Sequence, residues 1–251
     1  MEFHGVYVPL VTPFKDDKVD EPGLRSLVDY LIEGGVDGLI PCGTTGESPT
    51  LSLEEHSRVV EIVVQHTNRR VPVVAGAGSN NTHEALELTQ HAEKVGADAT
   101  LQVSPYYNRP GQAGIFAHFK KIAEAASRPI ILYNIPKRTG QSIELDTILE
   151  LAQIPNIVGI KQSGTPLSDT LEIIARLPDF AVFSGDDPLA FSITASGGAG
   201  AIAASAHIAT ADWVEMCRLL RDNKLQAARQ LHLRLFPLSK ILFIEPNPAP
   251  V

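Results

Sequence analysis

Three short stretches of this chain carry residues that could do covalent chemistry. The first is Ile157-Val158-Gly159-Ile160-Lys161, an apolar run ending on a lysine. Side chains alternate along a strand, so Lys161 shares a face with Gly159 and Ile157, while Val158 and Ile160 face the other way. Burying an ammonium is costly. A lysine in such a place is therefore a candidate amine nucleophile toward a ketone. A solvated or ion-paired lysine at a strand end fits the position equally well. The second stretch, Ile130-Ile131-Leu132-Tyr133-Asn134-Ile135-Pro136, ends near a tyrosine whose phenol could shuttle a proton, or could simply sit in the core. The third is Gly43-Thr44-Thr45-Gly46-Glu47-Ser48. Its glycines permit positive φ, so successive N–H groups can converge on a small carboxylate, and the threonine hydroxyls add donors. A plain glycine-rich turn is the alternative.

Two further stretches are weaker. Lys137-Arg138-Thr139-Gly140 brings a guanidinium, whose planar fork matches a carboxylate, after the tyrosine-bearing run. Pro105-Tyr106-Tyr107-Asn108-Arg109-Pro110 places paired aromatics on a loop, suited to a site or to a subunit interface. The eight histidines show no metal spacing, and Cys42 and Cys217 make no C-x-x-C, so no metal and no cofactor is expected. Cys42 reads as a buried small residue. Asp186-Asp187 would repel a phosphate at the place where barrels often bind one.

Something must hold these residues together. Eight β-rich runs recur: Val6–Val11, Gly38–Cys42, Val71–Ala75, Ala99–Val103, Ile130–Asn134, Ile157–Lys161, Ala181–Ser184 and Ala201–Ala204. Helical periodicity separates them, over Pro22–Glu33, Leu53–Gln65, Thr82–Val95, Ile115–Ala126, Leu145–Ala152, Leu167–Leu177, Leu189–Ser196 and Thr210–Asp222. Ser52 with Glu55 three residues on is a capping-box pattern; Asn81 and Thr82 are cap candidates, and Gly34-Gly35 and Gly96 are stops. Strict alternation implies a parallel sheet, and eight repeats in 251 residues favour an α/β fold closed as a (β/α)₈ TIM barrel over an open doubly wound sheet. The barrel is expected over 1–224. Residues 225–251 read as the start of a C-terminal helical region, with a proline-rich extended end from Glu245 to Val251. In a barrel, the reactive residues gather at the C-terminal ends of the strands.

The composition sets bounds on partners. A net charge of −8 from 21 Lys and Arg against 29 Asp and Glu, without a basic run, argues against nucleic acid and anionic membranes. Two cysteines make no disulfide framework, and no leader-like or membrane-length apolar run occurs, so a soluble cytoplasmic protein is expected.

From Val6 to Val251 the pieces resemble the superfamily of dihydrodipicolinate synthase and N-acetylneuraminate lyase, the class I pyruvate aldolases. Gly43-Thr44-Thr45-Gly46-Glu47-Ser48, Tyr133-Asn134-Ile135-Pro136 and Gly159-Ile160-Lys161 together carry the resemblance. The 105–110 loop and Arg138-Thr139-Gly140 look like its dihydrodipicolinate synthase branch. The resemblance implies an imine of pyruvate on Lys161, and a proton relay of Tyr133, Thr44 and Tyr107, with Tyr107 supplied by a neighbouring subunit. It implies a carboxylate seat at Thr45, pocket backbone at Gly185 and Ile202, and Arg138 as the seat for the carboxylate of the second substrate, L-aspartate-4-semialdehyde. A homotetramer built as a dimer of dimers is implied too. Ser48, His56, Asn80, Glu84 and Tyr106 match a lysine-feedback site of some relatives. Leu53 and Pro49 depart from that pattern, so weak or absent inhibition is expected. Two other departures are Gln162-Ser163 after the lysine and an end at Val251, where the family continues with further helices, so its helical extension is expected to be truncated here. The rivals are a sister aldolase or dehydratase acting on another 2-keto acid or a sugar acid, and a non-catalytic barrel that binds pyruvate or lysine.

Overall fold

The computed structural model describes residues 2–251. Eight parallel strands form the barrel: β1 (Gly5–Pro9), β2 (Gly38–Ile40), β3 (Val74–Gly76), β4 (Ala99–Val103), β5 (Ile130–Asn134), β6 (Ile157–Gln162), β7 (Ala181–Ser184) and β8 (Gly200–Ile202). Each pairs with its neighbours in chain order, and β8 returns to β1 with Val6 opposite Ala201. The seam between β2 and β3 is closed by the parallel bridge of Leu39 to Val73, with the Leu39 amide donating to Pro72 O at 3.0 Å. The expected barrel is therefore observed.

Several strands are shorter than their apolar runs, and proline explains two of them. Pro72 and Pro41 have no N–H to give to a ladder, so β3 begins after Pro72 and β2 stops before Pro41. Helices cover the outside: α1 (Glu21–Glu33), α2 (Leu53–Thr67), α3 (Thr82–Val95), α4 (Gln112–Ala125), the one-turn α5 (Pro136–Thr139), α6 (Leu145–Leu151), α7 (Leu167–Arg176), α8 (Ala190–Ala195), α9 (Thr210–Arg221) and α10 (Leu225–Ile241). The expected caps are in place. Ser52 Oγ accepts from Glu55 N while Glu55 returns a bond to Ser52 N, Asn81 accepts from His83 N, and Gly96 ends α3 at φ 96°. α4 starts three residues earlier than its apolar periodicity, because Gly111 turns the chain into it and the first residues, Gln112-Ala113-Gly114, carry no large apolar side chain to show the period. A short hairpin, Phe14–Lys15 with Lys18–Val19, and the helix α5 were not expected. No helix among the described residues is long and apolar enough to cross a membrane.

The alternation of side chains sorts the core. Tyr7, Ile40, Val74, Leu101, Ile131, Tyr133, Phe183 and Ile202 form one cluster inside the barrel. Their neighbours, such as Val6, Leu39, Leu132, Ile160 and Val182, pack outward against helices. Burying each such side chain contributes roughly 1.5–3 kcal/mol. Gly38 is needed next to the inner cluster, because a Cβ there would collide with the Tyr7 ring, which packs edge-on to Phe183 with centroids 5.4 Å apart.

β6 departs from simple alternation. Its register against β5 jumps from Ile130 opposite Ile157 to Ile131 opposite Gly159. Such a bulge places two residues against one. Ile157 accordingly packs outward with Ile160, whereas Val158 lies against the inner cluster. The expected faces of Ile157 and Val158 are thus reversed, while those of Gly159, Ile160 and Lys161 beyond the bulge stand.

Two imidazoles sit in the helical layer with little access to water. Burial pushes both His56 and His118 down to about 4. Their folded values lie below the unfolded value of about 6.5, so between those limits only the unfolded chain binds the proton. Stability is then full above pH 6.5 and falls on acidification, by about 1.4 kcal/mol per pH unit per group. Urea unfolding of His118→Gln is expected to lose about 2 kcal/mol less than the parent between pH 7 and pH 5. Equal losses in the two proteins would contradict this assignment.

Candidate active site

β6 delivers Lys161 to the C-terminal mouth of the barrel, with only 6% of its surface exposed. Lys161 pairs in register with Tyr133 of β5 on one side and Phe183 of β7 on the other. Its Nζ lies 4.3 Å from the centroid of the Tyr133 ring, so the phenyl face meets the amine as the alternation argument requires.

On the far side of Lys161 runs the turn after β7. The Gly185 amide donates to Gln162 O at 2.7 Å, drawing the two backbones together. A Cβ on Gly185 would stand 2.6 Å from Lys161 Cε and closer still to Ser163 Oγ. The glycine therefore leaves the room in which the lysine side chain lies. Gly185→Ala is expected to push Lys161 out of line. An ångström of misplacement is worth about 10²-fold in rate, and kcat/KM should fall on that order while the melting temperature changes little. A variant with parental kcat/KM would show that the amine does not depend on this gap.

The threonine turn follows β2. Gly46 N donates to Gly43 O at 3.1 Å and Glu47 N to Thr44 O at 3.2 Å, and Thr12 Oγ1 donates to Gly46 O at 2.7 Å, which fixes the loop. Among the described residues the amides of Thr44 and Thr45 make no backbone hydrogen bond, leaving them free for an anion. The conformational reason for the glycines differs from expectation. Positive φ falls on Cys42 (55°) and Glu47 (54°). Gly46 instead permits close packing, since its Cβ would lie 2.9 Å from Leu10 O. Cys42 itself is buried, and burial alone raises its thiol far above the ordinary range, which leaves it inert.

A cavity of about 380 Å³ opens at this mouth, lined by Thr44, Thr45, Tyr133, Arg138, Lys161, Gly185 and Ile202. Seven of the eight residues expected at the reaction centre are therefore gathered in one place. The eighth, Tyr107, is not. It stands on the β4 loop at φ 68° with 91% of its surface exposed and lines neither cavity at the barrel mouth. Arg138 reaches the cavity from α5, whose single turn after Pro136 lifts it to the rim, and its guanidinium donates to Asn247 O at 3.0 Å.

Among the wall residues that were not expected are Ser163, Asp187 and Asn247. Ser163 follows Lys161 by two positions. Asp187, in the acidic pair, is buried and accepts from Ser205 N at 2.8 Å and Ser205 Oγ at 2.5 Å. Burial raises its carboxyl, and the Ser205 hydrogen bonds pull it back. Asp186 is occupied at the surface, accepting from Gly164 N at 2.6 Å. Asn247 comes from the proline-rich end, where nothing in the sequence marked it.

Of the five residues matched to a lysine site, Ser48, Tyr106 and Asn80 lie near one another in this chain, whereas His56 and Glu84 line neither cavity. Ser48 and Tyr106 line a second cavity of about 360 Å³, which shares Thr44, Tyr133, Arg138 and Asn247 with the first. Asn80 donates to Tyr106 O at 3.1 Å. His56 is buried in α2 beside Cys42, and Glu84 lies in the first turn of α3. Neither His56, Asn80 nor Glu84 reaches either cavity. Among the described residues no group of three His, Cys, Asp or Glu could hold a metal ion.

The model of the dihydrodipicolinate synthetase family matches residues 2–251. The chain belongs to this family. Among curated members, the 4-hydroxy-tetrahydrodipicolinate synthase of Syntrophobacter fumaroxidans is 50% identical over 250 residues, covering 99% of this chain and 86% of the relative. A crystal structure of a dihydrodipicolinate synthase superposes with a TM-score of 0.97 at 48% identity, covering 99% of this chain and 86% of that one. A chloride-inhibited dihydrodipicolinate synthase from Acinetobacter baumannii, crystallised with pyruvate, is 44% identical at a TM-score of 0.96, with coverage of 99% and 86%. The family match spans residues 2–251, the stretch that carries the mouth and the threonine turn.

Proposed function

We propose that the chain joins pyruvate to L-aspartate-4-semialdehyde through an imine on Lys161, the reaction of a 4-hydroxy-tetrahydrodipicolinate synthase, which feeds diaminopimelate and lysine synthesis. The observation that carries the reading is a buried amine set against a phenol in a cavity that also holds free amides and a guanidinium.

Each step has a residue suited to it. Lys161 Nζ attacks C2 of pyruvate, whose carboxylate is held by Thr45 and the free amides of the threonine turn. Tyr133 passes protons as the carbinolamine loses water to give the imine. Loss of a proton from C3 gives an enamine. That carbon attacks the aldehyde of the second substrate, whose carboxylate pairs with Arg138. The substrate's amine then closes on C2 and displaces Lys161, which regenerates the free enzyme. Thr44 and a Tyr107 from a neighbouring subunit extend the relay. The exposure of Tyr107 in a single chain supports that trans role and a homotetramer built as a dimer of dimers. Lysine inhibition is weak or absent, in keeping with Leu53 and Pro49 at the matched loop.

The sister reaction on a sugar acid is disfavoured by Arg138, a cation on the rim fitted to a second carboxylate. The test begins with pyruvate and borohydride, which reduces an imine to a stable amine. A pyruvate-derived mass on Lys161 alone is expected by peptide mass spectrometry. Turnover with aspartate semialdehyde, and none in sugar-acid cleavage, is expected next. An absent adduct in folded protein would overturn the imine, and an adduct with only sugar-acid turnover would overturn the second substrate.

A further inference from the structure

Asn247 stands between the two groups that read carboxylates. Its Nδ2 donates to Thr45 Oγ1 at 2.8 Å, and its backbone carbonyl accepts from Arg138 Nη2 at 3.0 Å. It reaches them from 202 positions away along the chain from Thr45. It also lies on the wall of both cavities at the barrel mouth.

The hydrogen bond to Thr45 has a direction that matters. A hydroxyl is one donor and two acceptor lone pairs. Thr45 is buried, and the bond from Asn247 is its hydroxyl's only hydrogen bond among the described residues. With a lone pair occupied by the Asn247 N–H, the hydroxyl proton remains to be donated into the cavity. An anion there meets a donor already turned toward it. The orientation is maintained although Asn247 Oδ1 is left buried without a partner among the described residues.

We infer that Asn247 is a positioning residue for pyruvate: it orients the Thr45 hydroxyl as a donor to the substrate carboxylate and anchors Arg138 beside it. The inference rests on the imine reading above, and it concerns the affinity of the first substrate rather than the chemistry on the amine.

The test measures the pyruvate concentration that gives half-maximal borohydride trapping on Lys161. Asn247→Ala is expected to raise that concentration about 10-fold, the scale of one hydrogen bond to a charged group, with the same adduct yield at saturation. Asn247→Asp preserves shape but can only accept from Thr45, turning the proton away and adding a like charge. It is expected to raise the concentration further. In a Thr45→Val background, which has no hydroxyl to orient, Asn247→Ala is expected to add little. A purely structural role would lower the saturating yield or add equally in both backgrounds. Unchanged half-saturation in both Asn247 variants, or full additivity with Thr45→Val, would overturn the inference. Absence of any adduct in the parent protein would instead overturn the imine reading on which it stands.

Discussion

Lys161→Arg is expected to abolish both turnover and the pyruvate adduct, with turnover reduced about 10⁴-fold or more, the scale on which enzymes lose activity when the group that forms the covalent bond is removed. The substitution retains a cation next to the Tyr133 ring but replaces the amine by a guanidinium that does not lose its proton in proteins. Charge, and attraction for the pyruvate carboxylate, survive; nucleophilicity does not. Lys161→Met removes the charge as well and fills similar volume. Because the lysine is almost fully buried at the mouth, the Met variant is expected to melt at or above the parental temperature, since burying an ammonium is unfavourable and burying a thioether is not. Loss of activity with undiminished stability would separate chemistry from folding. Activity within 10-fold of the parent in either variant would remove the imine mechanism. The measurements are steady-state rates with both substrates, thermal melting, and trapping with borohydride.

The parts of this molecule legible in the sequence are those with short-range causes. The capping box at Ser52 and Glu55 is written in two residue types at fixed spacing, and it forms. Alternation placed Lys161 and Ile160 on opposite faces because nothing intervenes between them. Placing Ile157 and Val158 failed because a bulge is set by the register with β5, a partner 27 residues away at Ile130, and one extra residue inverts every face upstream of it. The glycine-threonine turn was legible in its outcome and misread in its cause. Left-handed geometry went to Cys42 and Glu47, while Gly46 answers to Leu10, a contact that sequence proximity does not reveal. Asn247 escaped altogether, since its partner Thr45 lies at the other end of the chain and an asparagine within a proline-rich run reads as part of an extended end. Asp186-Asp187 was legible only as a charge that would repel a phosphate; the burial of Asp187 depends on Ser205 being folded over it.

Tyr133→Phe is expected to lower kcat/KM by about 10²–10⁴-fold, the usual worth of a positioned proton donor and acceptor, while leaving the endpoint of pyruvate trapping intact. The ring is what packs: Tyr133 belongs to the inner cluster and its face meets Lys161 Nζ, and phenylalanine keeps both contacts. The hydroxyl makes no hydrogen bond to any described residue, yet Tyr133 lines both cavities at the mouth. A buried phenol with a structural purpose usually has a protein acceptor, so the free hydroxyl fits the proton-transfer role proposed for it above. Removing it leaves the amine able to reach pyruvate but slows the proton transfers that turn the carbinolamine into the imine. The variant should reach the parental yield of reduced adduct, only later, when pyruvate exposure before borohydride is extended from seconds to hours. A parental time course would assign the proton transfers to Thr44 or to solvent. A lowered endpoint together with lowered melting temperature would show that the hydroxyl was holding the fold.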